Sequence, residues 1–162
     1  MDAIKLLTEQ HRRLESELKE ALQAHQPAAR TSALERVADD LTKHLTSEEQ
    51  VFYPAVKARS NEDVLLESLE EHLSLKRLLA DLLTLDAADE TWEPKVKVLE
   101  EQTVHHHEEE EERLFPAVRK TWKSDELIDL GQQLLAVQQQ LQREGAPRVA
   151  VLDQTAEATP LK

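Results

Sequence analysis

The chain contains no cysteine. Disulfides, a thiolate nucleophile and any zinc or iron–sulfur site built on sulfur are excluded. Glycine occurs only twice among 162 residues and proline six times, leaving few turn signals for a β fold. Aromatic residues are 3% of the chain, too few to line an elaborate substrate cavity. No apolar run of about 18 residues is present, so no membrane span is expected. The opening Met1-Asp2-Ala3-Ile4-Lys5 lacks the apolar stretch of a signal peptide, and a cytoplasmic location is the expectation. Positive charge is also short: the net charge is −13, with no basic stripe, so nucleic acid and anionic membranes are not expected as partners.

What is present favours helix. Leu, Glu, Gln, Lys, Arg and Ala dominate, and 40% apolar residues suffice for one bundle core. Apolar positions recur at spacings of three and four in five segments. The first holds Ile4, Leu7, His11, Leu14, Leu18 and Leu22, and should run from about Asp2 to about His25, stopped by Pro27. The second holds Leu34, Val37, Leu41, His44, Glu48, Val51 and Val56, with Thr31 or Ser32 as the expected cap and Pro54 as a kink or end. The third holds Leu65, Leu69, His72, Leu75, Leu79 and Leu82, capped by Asn61. The fourth holds Val96, Leu99, Thr103, His106, Glu110, Leu114 and Val118, with Pro94 near its start and Pro116 breaking its end. A fifth, Leu127 to Leu141, is expected to be capped by Ser124 and ended by Gly145 and Pro147.

The two halves repeat. A shift of 62 residues lays His44 on His106, Glu48 on Glu110, Glu49 on Glu111 and Pro54-Ala55-Val56 on Pro116-Ala117-Val118. A shift of 61 lays His11, Leu14 and Leu18 on His72, Leu75 and Leu79. Two helical hairpins imply an all-α, antiparallel up-down four-helix bundle over 1–122. A C-terminal helix over 123–145 would pack on the bundle or on a partner such as a second copy in a homodimer, and 146–162 should be a disordered tail.

Each repeated histidine interrupts an apolar stripe. One such histidine is ordinarily a satisfied core residue. Four, with two glutamates at matched depth, are different: each unpaired buried polar group costs roughly 1–3 kcal/mol, and a marginally stable domain cannot carry six without a ligand. His44 and Glu48, like His106 and Glu110, stand one helical turn apart, able to hold the same ion or neighbouring ions. Imidazoles with shared carboxylates suit non-haem iron better than closed structural zinc or oxygen-seeking magnesium and calcium. Ferritin-like bundles use Glu-x-x-His; here the order is His-x-x-x-Glu. In the run His105-His106-His107 each histidine has a glutamate four residues on, but the apolar stripe and the repeat select His106 with Glu110. His105 and His107 are expected to flank the site or face solvent, and His25 to be ordinary. Trp92 and Trp122 read as packing residues.

This order and spacing resemble the hemerythrin family, specifically its bacterial HHE cation-binding branch. The likeness spans roughly Met1 to Lys120 and rests on His11, His44 with Glu48, His72, and His106 with Glu110; the stretches Glu48 to Pro54 and Glu110 to Pro116 also look like the family. It implies two iron ions, one on His11 and His44, the other on His72 and His106, bridged by Glu48, Glu110 and an oxo or hydroxo group. It implies binding or reduction of O2, NO or peroxide. A di-iron oxidase or peroxidase acting on an organic substrate, and an iron or redox sensor, are the alternatives. One departure stands out. Oxygen-carrying hemerythrins have a fifth histidine one turn after the third-helix histidine, where this chain has Lys76, a poor ligand when charged. Glu15, one turn after His11, is a candidate additional metal ligand or a solvated helix residue.

Overall fold

In the computed structural model, residues 1–59 and 62–162 are described; the expected Asn61 cap lies outside them. The chain is helical, with no strand among the described residues. Helix α1 spans Ala3–Gln23, and the Asp2 carboxylate caps it by accepting the Lys5 N–H at 2.8 Å. Helix α2 spans Pro27–Ser47. It begins one turn before the expected Thr31 or Ser32 cap, because Pro27 needs no N–H partner and its fixed φ suits a first turn. The Thr31 hydroxyl instead donates back to the Pro27 carbonyl at 3.0 Å.

Pro54 and Pro116 neither stop nor simply kink their helices. After α2 the backbone widens into a π turn, Glu48–Phe52, then resumes as α3, Tyr53–Val56. Helix α4 spans Glu62–Leu83 and α5 spans Trp92–Glu109; a second π turn, Glu110–Leu114, leads into α6, Phe115–Thr121. The Tyr53 N–H bonds the Glu48 carbonyl and the Phe115 N–H the Glu110 carbonyl, each five residues back. A proline cannot donate to the carbonyl four residues back and would collide with it in an α-helix; the wider turn relieves both faults. Each π turn opens on one of the two repeated glutamates.

Helix α1 packs on α2 and α5, and α4 packs on α5 and α2, closing a ring of four. The core is two apolar clusters. One includes Leu7, Phe52, Leu69 and Leu114; the other includes Leu14, Leu41, Leu45, Leu75 and Leu99. His11 lies between Leu7 and Leu14, His72 between Leu69 and Leu75, and His106 between Leu99 and Leu114. The polar residues thus occupy the level where one cluster gives way to the other.

Helix α7, Ser124–Arg143, covers α1 and α2, burying Leu127, Leu130 and Leu134. Its N-cap is Lys123 rather than Ser124, because the Glu126 carboxylate takes the Lys123 N–H at 3.0 Å. Gly131 lies so close to α1 that an added Cβ would stand 2.5 Å from the Met1 carbonyl oxygen. The tail expected to be disordered carries a 3-10 helix, Pro147–Asp153. It is held by long-range contacts that leave no periodic signal: Val151 is buried in the second cluster, Arg148 pairs with Asp39 at 2.9 Å, and Leu161 rests on the first cluster. No helix among the described residues is long and apolar enough to cross a membrane.

Candidate metal centre

Four helices bring the six repeated residues together. His11, His44, His72, His106, Glu48 and Glu110 are each at most 1% exposed. His11, His44, Glu48 and Glu110 form one group of converging ligand atoms, and Glu48, His72 and His106 another. Glu48 Oε1 lies 3.3 Å from both His44 Nε2 and His72 Nε2. Glu110 Oε1 lies 3.2 Å from His11 Nε2 and 3.4 Å from His106 Nε2. Each acid therefore reaches one histidine from each half of the repeat.

Every one of these histidines turns Nε2 inward because its Nδ1 is held from outside. Nδ1 of His11 bonds Glu111 at 2.7 Å, and Nδ1 of His72 bonds Glu49 at 2.7 Å. Nδ1 of His44 bonds the Gln10 side-chain oxygen at 2.8 Å, and Nδ1 of His106 bonds Glu71 at 2.8 Å. A donor Nδ1–H leaves Nε2 as a bare lone pair, the tautomer a metal requires. The repeat carries these partners too: the 62-residue shift relates Glu49 to Glu111, and the 61-residue shift relates Gln10 to Glu71. The π turns put adjacent glutamates to different uses, Glu48 and Glu110 inward, Glu49 and Glu111 onto histidines.

The electrostatics follow from burial. Burial and then the Glu110 charge push the Glu48 carboxyl well above its ordinary pKa. Burial opposes ionisation of Glu110 as well, but His106 and His11 outweigh it and hold Glu110 well below the usual range. Burial, reinforced by His11 and His107, pushes His44 well down and keeps it neutral. Burial of Glu49 is overcome by His72, Lys76 and Thr159, which hold its pKa at about 2.

The donor set fits a pair of cations. His11 Nε2, His44 Nε2, both Glu48 oxygens and Glu110 Oε1 are buried without a hydrogen-bond partner. His72 Nε2 and His106 Nε2 face each other at 3.1 Å, two lone pairs that a cation between them would reconcile. The Tyr53 hydroxyl, 3.0 Å from His72 Nε2, donates to Glu110 Oε2 at 2.8 Å. A set of nitrogen and oxygen donors without sulfur suits iron, manganese or zinc.

The sequence model of the Hemerythrin HHE cation binding domain matches residues 2–118. The chain belongs to the hemerythrin HHE cation-binding family. A hemerythrin HHE cation binding domain-containing protein from Mycobacterium kansasii superposes with a TM-score of 0.80 at 20% identity, covering 95% of this chain and 99% of that one. That likeness speaks for the fold. A protein described as a DNA nickase, from Nostoc sp. (strain PCC 7120), is 24% identical over 124 residues, 76% of this chain. This HHE chain spans only 35% of that curated relative's length.

For two residues of this HHE protein the structure gives a place that the sequence left open. His107, expected beside the site or in solvent, is 1% exposed and stacks on His11 with ring centroids 3.7 Å apart. Glu15, a candidate ligand, holds His107 Nδ1 at 2.7 Å and lies in neither of the two donor groups above. His105 and His25 are exposed. Lys76 is buried and spends its charge on Glu49 at 2.9 Å. The tail reaches the same acid: the Thr159 hydroxyl donates to Glu49 Oε1 at 2.6 Å.

Proposed function

We propose that this chain is a non-haem di-iron protein that binds or reduces O2, NO or peroxide. His11 and His44 would hold one iron, His72 and His106 the other, with Glu48, Glu110 and an oxo or hydroxo group between them. The observation that supports it most is that one oxygen of each glutamate lies 3.2–3.4 Å from imidazole nitrogens of both halves. When bound, such a metal pair supplies electrons and a coordination position for a small diatomic or peroxide ligand.

The protein's own groups set the conditions. Glu111, Gln10, Glu49 and Glu71 fix ring orientation and raise the basicity of the inward nitrogens. The two apolar clusters exclude water above and below the donors, strengthening every charge interaction at that level. The buried Tyr53 hydroxyl keeps a proton within hydrogen-bond reach of Glu110. A sensor role for the same centre is favoured by one feature: α7 and the tail both reach residues that hold its imidazoles, Gln138 bonding Gln10 behind His44 and Thr159 bonding Glu49 behind His72.

The test is metal content with spectroscopy. Protein loaded with Fe(II) under argon and then oxidised should hold two irons per chain and absorb in the near ultraviolet. His44→Ala should lose both signals. Loaded protein should react with at least one of O2, NO and hydrogen peroxide, mixed in turn and followed by absorbance. A parent chain that takes up no iron, or a His44→Ala variant equal to it, would overturn the reading.

A further inference from the structure

The repeat is broken at one pair of positions inside the site. The 62-residue shift that relates His44 to His106 relates Leu45 to His107. The 61-residue shift that relates His11 to His72 relates Glu15 to Lys76. His107 and Glu15 meet: the Nδ1–H of His107 donates to Glu15 Oε2 at 2.7 Å. Their counterparts Leu45 and Lys76 have been made unable to repeat that contact, one being apolar, the other cationic.

His107 shares three features with the four repeated histidines. It is buried to 1% exposure. Its Nδ1 is held by an acceptor from outside, as theirs are, which leaves Nε2 free as a lone pair. Its ligand atom falls within the same small volume as those of His11 and His44, forming a three-imidazole group. A structural role alone does not require that tautomer, nor a half-buried carboxylate to impose it.

We propose that His107 is a fifth imidazole ligand of the metal centre, taking the cation held by His11 and His44, with Glu15 positioning it. The inference rests on the di-iron reading above and makes the pair unequal. The His11–His44 side gains a third imidazole, while the His72–His106 side, beside the Tyr53 hydroxyl, keeps two. The fifth histidine is thus present, but on the helix of His106 rather than at Lys76, and it serves the opposite half of the site.

The experiment compares iron binding by the parent chain, His107→Gln, His107→Gly, Glu15→Gln and, as a control on the same helix turn, His105→Gln. Iron per chain, competition against a chelator and the absorption spectrum are read, with metal-free melting curves to establish folding. The expected result is that His107→Gln binds one of its two irons at least tenfold more weakly with an altered spectrum, while His105→Gln matches the parent. Glu15→Gln, which keeps the chain length but weakens the acceptor, should lose less. Free imidazole added to His107→Gly should restore the second iron and the parent spectrum, a result that packing alone cannot give. Should His107→Gln fail to fold, His107→Gly with imidazole and Glu15→Gln decide. Two irons of parent affinity and unchanged spectrum in the His107 variants would overturn this assignment and leave the di-iron reading standing. A parent that binds no iron overturns both.

Discussion

Gln138 of α7 and Gln10 of α1 face each other amide to amide, each donating to the other, at 2.8 and 3.0 Å. Gln10 Oε1 also accepts from His44 Nδ1 at 2.8 Å, and Gln138 donates a second bond to Ser47 at 2.9 Å. Helix α7 is therefore coupled to an inward-facing imidazole through two amides. Gln10→Ala should weaken iron binding by about 10–100-fold, the usual effect of removing the partner of a ligating histidine. Gln138→Ala, one bond further out, should have a smaller effect in the same direction. Chelator competition on both variants measures it, and equal affinities for Gln10→Ala and the parent would remove Gln10 from this role.

Glu48→Gln should act in opposite directions with and without metal. The carboxyl's folded pKa is raised, so the folded state holds a proton that the unfolded state releases above about pH 4.5. Stability is therefore lost as pH rises from there, and a glutamine, neutral throughout, avoids that loss. Chelator-treated Glu48→Gln at pH 7 should melt at or above the chelator-treated parent. With iron at about 100 times the parent Kd, binding stabilises the parent by about 2.7 kcal/mol, or about 5–11 °C for a chain of this size. The variant should lose most of that gain. Scanning calorimetry with and without iron checks both signs.

Glu17 gives a second pH dependence, away from the metal residues. Burial and the neighbouring Asp40 raise its pKa from 4.5 to about 7. The protonated form is the one the fold accommodates, so its contribution is complete below about pH 4.5 and lost as pH rises to about 7. The melting temperature of the parent minus that of Glu17→Gln should fall across that interval and level off above it. A difference that stays constant from pH 4.5 to 7.5 would show that Glu17 titrates normally.

Gly131 is required by a close approach rather than by a turn. A methyl group there would meet the Met1 carbonyl oxygen at 2.5 Å and the Ala3 nitrogen at 3.1 Å, both backbone atoms with little freedom to retreat. Alanine is the better helix former by about 1 kcal/mol, yet overpacking costs about 1–3 kcal/mol. Gly131→Ala should lower the melting temperature by up to several degrees, and proteolysis should show α7 or the N-terminus loosened.

What could be read locally was read from the sequence. Helix periodicity, the doubled hairpin and the order His11, His44–Glu48, His72, His106–Glu110 all arise from spacings of three, four and about 62 residues along one chain. The π turns were less legible: Pro54 and Pro116 announced a disturbance, but whether a helix kinks, stops or widens depends on what its next turn must pack against. The partners of the imidazoles were half visible, since the repeat pairs Glu49 with Glu111 and Gln10 with Glu71, without saying which histidine each would meet.

The tertiary structure alone decided the rest. The apolar stripe and the repeat single out His106 but do not separate His107 from His105, and only the meeting of α5 with α1 buries His107 against His11 and Glu15. The tail has no periodicity of its own; its order comes from contacts such as Arg148 to Asp39 and Thr159 to Glu49, roughly a hundred residues apart. A helical period is a property of neighbours along the chain, so composition and spacing determined it. A hydrogen bond between distant residues exists only once folding has brought them together.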